Sequence, residues 1–238
     1  MKSLILCSTT LLAAISLMAS DKDDVTSAAQ KLGDADNYSW TSTVEGGQNN
    51  AAPSHGKIQK DGLTWIDMTR GDNTTEGYAK AGKGAVKTDD GWEAVDLTAA
   101  PARGGGGGGG ANPARFMGMR LRNLKAPAAE VADLVGKAKD ITKADDAYSG
   151  DLTEEGAKSL LTMGGRRGGG QAPTVSDAKG SVKFWIKDGM ITKYQVKVSG
   201  TVTRNGNDRD VDRTTTVEIK DVGATKITLP EEAKGKLS

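Results

Sequence analysis

Few residues of this chain have the type and spacing that acid–base or nucleophilic catalysis requires. His55 is the only histidine among 238 residues, and no G-x-S-x-G elbow supplies a serine nucleophile for it to activate. The acidic pairs are adjacent in sequence: Asp89-Asp90, Asp145-Asp146 and Glu154-Glu155. Neighbouring strand residues point to opposite faces, so such pairs do not by themselves form an acid–base couple. We therefore expect a protein that is not an enzyme and that needs no cofactor and no metal.

Two glycine-rich segments carry basic residues, at 101–113 and 164–172. Seven consecutive glycines in the first segment would lose too much entropy on ordering, so we interpret both as flexible surface loops. Neither has the spacing of a phosphate-binding loop or the interleaved aromatics of a nucleic-acid binder. The arginines in and between them are candidates for contact with an anionic head group or a partner protein: Arg103, Arg166 and Arg167, with Arg115, Arg120 and Arg122.

Residues 1–20 are typical of an export signal. Lys2 supplies a positive charge, and the apolar run from Leu4 to Met18 is followed by small residues and then by acidic ones. That run is short for a membrane span, and no later segment is long enough. The only cysteine, Cys7, follows a leucine where lipidation needs a small residue. We expect cleavage near Ser20 and a periplasmic or extracellular protein without a stable membrane span.

The closing segment, residues 180–230, alternates between polar and apolar residues over long stretches. Lys193, Gln195 and Lys197 fall on one face of the middle strand. The other face carries Met190, Tyr194, Val196, Val198 and Val202. This pattern predicts about four long antiparallel strands, the last ending in KITLP, with one dry face that must be covered.

The preceding sequence predicts the elements that cover that face. A helix over 23–32 comes before about six short strands with turns near Asp61-Gly62, 82–84 and 89–91. Further helices follow around Phe116, after Pro127 and from Thr153. We predict an α+β fold, mainly antiparallel β: a half-open barrel with helices over its concave face, forming one domain over 21–238.

Three segments resemble the LolA-like group of bacterial envelope proteins, including the LppX/LprG-type lipoproteins. They are YSWTSTV after the first helix, GWEAVDL before the helical insert, and GSVKFWIKDGMITKYQVKVSG followed by a segment ending in KITLP. The resemblance implies a half-open barrel whose helices form a lid over a hydrophobic cavity that holds acyl chains. The chain departs from the LppX/LprG type because it has no lipidated cysteine.

The leading hypothesis is therefore an exported, non-enzymatic and monomeric protein that binds a lipid or acylated molecule. Its candidate cavity residues are Tyr38, Trp40, Trp65, Phe116, Met119, Phe184, Tyr194 and Val196. Each of these could instead be ordinary core, and the middle helices could be a movable lid or a fixed cover. The alternative hypothesis is a structural or interaction module of the envelope, with a self-plugged barrel and glycine–arginine loops that bind another envelope protein.

Overall fold

The computed structural model describes residues 20–46, 52–70, 73–99, 113–162 and 173–238. The expected signal lies outside these ranges except for Ser20, and the predicted loops lie outside them except for Pro113. Arg103, Arg166 and Arg167 therefore lie outside the described residues.

Eleven strands form one antiparallel sheet within the described part of the chain. The N-terminal strands are β1 Asn37–Gly46, β2 Ser54–Gln59, β3 Thr64–Arg70, β4 Asn73–Lys80, β5 Lys83–Thr88 and β6 Gly91–Asp96. The C-terminal strands are β7 Thr142–Ala144, β8 Ala147–Asp151, β9 Thr174–Lys187, β10 Met190–Arg204 and β11 Asn207–Lys220. The order across the sheet is β6-β5-β4-β3-β2-β1-β11-β10-β9-β8-β7, so β6 and β7 are its two edges.

The sheet consists of two meanders joined at one seam. Within each meander, consecutive strands pair as neighbours, whereas the seam joins β1 to β11 with Trp40 opposite Ile219. One hydrophobic cluster covers the inner face and includes both Val86 of β5 and Tyr148 of β8. This arrangement confirms the predicted fold class: an open, mainly antiparallel half-barrel with helices against its concave face.

Five helices complete the described structure: α1 Asp21–Gly33, α2 Pro113–Arg122, α3 Pro127–Lys137, α4 Glu154–Thr162 and α5 Glu231–Lys236. Ser20 and Asp23 form a capping box at the start of α1, which begins two residues before the predicted start. Pro127 occupies the first turn of α3, where its missing N–H costs nothing. The predicted cap of α4 is confirmed, because Thr153 Oγ1 accepts a hydrogen bond of 2.9 Å from the N–H of Gly156.

Two details of the closing meander differ from the prediction. A β-bulge interrupts the β9–β10 register between Ile191 and Lys193, and it turns Ile191 inward, to 1% exposure, in place of Met190. The chain has three long strands here rather than four, because β11 ends at Lys220 and the KITLP segment forms no strand. Ile227 and Leu229 of that segment pack instead against the outer face of the sheet.

Candidate functional site

The helices on the concave face cover its two flanks rather than its middle. Helix α2 packs against β4, β5 and β6, whereas α1 and α4 pack against β9 and β10. Helix α3 packs mainly against α1 and α4. The inner faces of β1, β2, β3 and β11 therefore form a floor between two groups of helices.

Part of this floor is only half-buried. Register brings its residues together, since Ser42 is opposite Ser54, Ser54 is opposite Met68, and Val44 is opposite Thr215. We call this set the central patch: Ser42, Val44, Ser54, Met68 and Thr215, all of intermediate exposure. Two of these side chains are apolar, three carry a hydroxyl group and none is charged. An uncharged surface next to a large apolar core can bind an acyl chain.

The concave face is closed at the end where β1 begins. Tyr38 and Trp40 are 3% and 6% exposed, with ring centroids 6.0 Å apart. The indole of Trp40 lies directly over Gly56, where any Cβ would overlap the ring. Phe184, Tyr194 and Val196 extend this packed region across β9 and β10 with exposures of 0%, 0% and 8%. Five of the predicted cavity residues therefore share one continuous inner surface.

A buried hydrogen bond connects this closed region to the helices. Tyr194 Oη donates to Oε2 of Glu130 on α3 at 2.6 Å. Burial raises the pKa of Glu130; the Tyr194 hydrogen bond and the positive charges of Lys125 and Arg120 oppose that shift, whereas Asp133 adds to it. Burial, together with the negative charge of Glu130, also raises the pKa of the Tyr194 hydroxyl. This hydrogen bond holds α3 close to the inner face of β10.

The sheet-facing side of α2 is formed by Met117 and Leu121. Each lies about 3.0 Å from the position that a Cβ on Gly77 of β4 would take. Met119 lies two positions from each of them, which places it about 160° around the helix on the side away from β4. Its side chain is half-exposed, and that it lines a cavity stays a prediction.

Phe116 lies on a different side of α2. Gly118 contacts Val95 of the edge strand β6, and Phe116, two positions away, lies about 160° around the helix from it. Phe116 is half-exposed and lies on the side of α2 away from β6. That it lines a cavity stays a prediction.

Trp65 is displaced from the predicted site. It lies on the outer face of β3, where its Nε1 donates to Glu76 Oε2 at 3.1 Å and Lys57 Nζ lies 5.2 Å from its ring. It packs beside a second cluster made of Leu63, Tyr78, Ala85 and Ala233. Trp65 and Trp40 therefore lie on opposite faces of the sheet and cannot line one cavity. The C-terminal segment covers the face that carries Trp65. Trp185 is on the outer face, between Lys183 and Lys193.

His55 forms an exposed polar contact with Asp67, in which His55 Nδ1 lies 3.0 Å from Asp67 Oδ1. No group of three or more histidine, cysteine or acidic residues among the described residues could hold a metal ion. None of the described helices is both long and apolar enough to cross a bilayer.

Arg213 is the residue of this face that the sequence reasoning missed. It lies on β11 between Gly46 and Val198, beside the central patch, and its buried Nε has no hydrogen-bond partner among the described residues. Alternation could have found it, since Arg213, Thr215, Val217 and Ile219 share one strand face. Glu130 was missed because a helical pattern does not show which polar residue meets a buried hydroxyl on a distant strand.

The fold and the site define a class of protein: a half-open antiparallel barrel with an apolar inner face partly covered by helices. A comparison with protein-family models gives no match, and neither does a comparison with curated protein sequences. Solved structures give three matches of interest, from the same group that the sequence segments resemble.

The first match is LprF from Mycobacterium bovis, at 13% identity and a TM-score of 0.46, covering 90% of this chain and 97% of that one. The lipoprotein LppX from Mycobacterium tuberculosis gives 8% identity and a TM-score of 0.46, covering 87% and 97%. A LolA superfamily protein from Nitrosomonas europaea gives 9% and 0.31, covering 88% and 95%. Matches at these identities concern the fold alone.

Proposed function

We propose that this protein is an exported, monomeric, non-enzymatic binder of a lipid or other acyl chain, acting as a carrier or sensor in the cell envelope. The observation that carries the proposal is the half-buried, uncharged central patch between α2 on one flank and α4 on the other. Burying such a surface under an acyl chain is favourable by about 0.8 kcal/mol for each methylene removed from water. The closed region with Trp40 and Tyr194 would form the inner end of that site.

A paired substitution on β1 tests the proposal. Ser42→Asp places a charge in the central patch, opposite Val217 and away from Arg213, whereas Thr43→Asp places the same charge one position along, on the outer face. Binding of a fluorescent fatty acid to the delipidated protein should weaken by about tenfold or more in Ser42→Asp, since the acyl chain would have to bury an unpaired charge. Thr43→Asp should bind like the wild type. Acyl probes that fail to bind the wild type, or that bind both variants equally well, would overturn the proposal.

Native mass spectrometry of the purified protein gives an independent measurement. A co-purified mass that is removed by organic extraction supports an acyl ligand and identifies it. The intact mass also reports whether residues 1–20 have been removed and whether the protein is a monomer. Retention of the full N-terminus in material from the envelope fraction would contradict export by a cleaved signal.

The packing of the closed region favours the second candidate, a self-plugged structural or interaction module. Trp40 already fills the space over Gly56, and Tyr194 already has a partner in Glu130. If those contacts extended over the whole floor, no ligand would enter, and neither β1 variant would alter any binding. The paired variants therefore separate the two candidates.

A further inference from the structure

Arg213 is a charged side chain on the inner face of the half-barrel. It lies two and four positions from Thr215 and Val217 on β11, and Val217 is 3% exposed in the inner core. Its partner in register on β10, Val198, is 1% exposed. The guanidinium therefore lies among apolar groups beside α4, at the margin of the central patch.

The guanidinium of Arg213 has few hydrogen-bond acceptors among the described residues. In the described ranges its one hydrogen bond runs from Nη2 to the carbonyl of Leu160, at 3.5 Å, which is long for an N–H···O bond. Nε is buried and has no acceptor among the described residues. Burial lowers the pKa of Arg213, yet a guanidinium stays protonated in proteins, so the charge is retained.

No carboxylate in the described ranges forms an ion pair with Arg213. The adjacent Asp212 points to the outer face, where it lies 3.7 Å from Lys197 Nζ. The two glycine-rich segments contain no acidic residue that could reach it. A half-buried guanidinium with a buried Nε and no counter-ion is costly to the folded state, and a planar fork of donors is suited to an oxyanion.

We propose, building on the acyl-binding function above, that Arg213 binds the anionic head of the ligand. The ligand class is an amphiphile with a carboxylate or phosphate head and a single apolar region. With the head at Arg213, the chain would run past Thr215 and Val44 of the central patch toward Trp40. A ligand with the same chain but a neutral hydroxyl head would leave the guanidinium without a counter-ion.

The test compares ligands of equal chain length with three proteins. Hexadecanoate, hexadecyl phosphate and hexadecanol are titrated against the delipidated wild type, Arg213→Gln and Lys197→Gln. The wild type should bind both anions about tenfold or more tightly than the alcohol, because charge-assisted hydrogen bonds are about twice as strong as neutral ones. Arg213→Gln should lose this preference while it keeps its affinity for hexadecanol. Lys197→Gln removes a positive charge from the outer face near the same level and should behave like the wild type.

The two anions separate the possible sources of the head group. Preference for hexadecyl phosphate indicates a phospholipid-type ligand, and preference for hexadecanoate indicates a fatty acid; both support an anion site at Arg213. Equal binding of acids and alcohol by the wild type overturns the assignment of Arg213 and leaves acyl binding intact. Failure of the wild type to bind any of the three overturns both proposals.

Thermal unfolding distinguishes ligand binding from a purely structural role for Arg213. A half-buried charge without a counter-ion contributes little to stability, so apo Arg213→Met should unfold at the wild-type temperature or higher. Hexadecanoate should raise the unfolding temperature of the wild type and leave that of Arg213→Met nearly unchanged. A strongly destabilised apo Arg213→Met with unchanged ligand selectivity in Arg213→Gln would overturn the inference.

Discussion

Tyr194 of β10 and Glu130 of α3 connect the inner face of the sheet to the helices that cover it. The tyrosine hydroxyl lies 2.6 Å from the carboxylate, and the tyrosine itself is fully buried. Since α3 also packs against α1 and α4, this bond positions the whole group of helices on that flank. Any movement of α3 away from the sheet would have to break it.

Tyr194→Phe should therefore destabilise the protein with little change in packing volume. Hydrogen bonds to charged groups contribute about 1.5–3 kcal/mol, and the variant also leaves Glu130 without its donor. Urea unfolding followed by circular dichroism measures the free energy of unfolding. Tyr148→Phe, which removes a 3.0 Å bond to the half-buried Asp24 at the start of α1, is the comparison and should cost less. Equal losses in both variants would show that burial of the pair adds nothing.

Glu130 should also make stability depend on pH in a defined direction. Its pKa in the folded protein is raised by burial above the ordinary value of 4.5. The folded state therefore binds the proton more tightly than the unfolded state. The resulting stability is fully present below pH 4.5 and is lost as pH rises through the raised pKa. In Glu130→Gln, urea unfolding across this range should lack that loss; an unchanged pH profile would contradict the assignment.

Helix α2 offers a matched pair of methionine substitutions. Met117 is fully buried against Gly77, so Met117→Ala should cost about 2–5 kcal/mol in the free energy of unfolding through lost contacts and a cavity. Met119 is on the side away from the sheet, and Met119→Ala should cost about 1 kcal/mol or less. Denaturant midpoints decide the matter. A larger loss for Met119→Ala than for Met117→Ala would contradict the placement of Met117 against the sheet.

Gly56 and Gly136 form a second matched pair. Alanine at position 56 would overlap the Trp40 indole, and overpacking of this kind costs about 1–3 kcal/mol or more. Alanine at position 136 meets nothing within 4 Å on α3, and replacing a helical glycine should stabilise by about 0.5–1 kcal/mol. Thermal unfolding of both variants measures the contrast. A tolerated Gly56→Ala would mean that Trp40 can move, as a ligand site would require.

The C-terminal tail should stabilise the outer face of the N-terminal meander. Ala233 of α5 is fully buried, and Tyr78 Oη donates to the carbonyl of Thr228 at 2.9 Å. Removing residues 231–238 should expose Trp92 and the edge of this cluster, shift tryptophan emission to longer wavelength and lower the unfolding temperature. Acyl binding on the opposite face should persist. Loss of acyl binding with an unchanged emission maximum would contradict this separation of the two faces.

Alternation and turn residues predicted most of the fold from the sequence. The hairpin at Asp61-Gly62, Pro127 at the start of α3 and the Thr153 cap are local signals, and each is confirmed by the structure. The errors arose where tertiary packing decided the outcome. The bulge beside Ile191 reversed the inner and outer positions there, and the tail over Trp65 gave β3 two covered sides.

The candidate site was less predictable for the same reason. Period two identified Tyr38, Trp40 and Tyr194 as inward-facing, and they are buried together. Helical spacing did not determine which side of α2 faces the sheet. The prediction named Met119, whereas Met117 is the methionine that packs against β4. Arg213 was discoverable from its spacing to Val217 and Ile219. Its lack of a counter-ion depends on neighbours that only the folded chain brings near.

The seam between β1 and β11 has a consequence for how the chain reaches its final form. Ser39 and Lys220 face each other across this seam from positions 181 residues apart, whereas the other strand pairs lie within one meander or the other. Each meander can assemble from short-range hairpins, but joining them requires a long-range encounter, which slows folding. During synthesis from the N-terminus, β1 keeps one unpaired edge until β11 has emerged. The half-barrel is thus completed in one late step, and that step creates the inner surface on which Val44 meets Thr215.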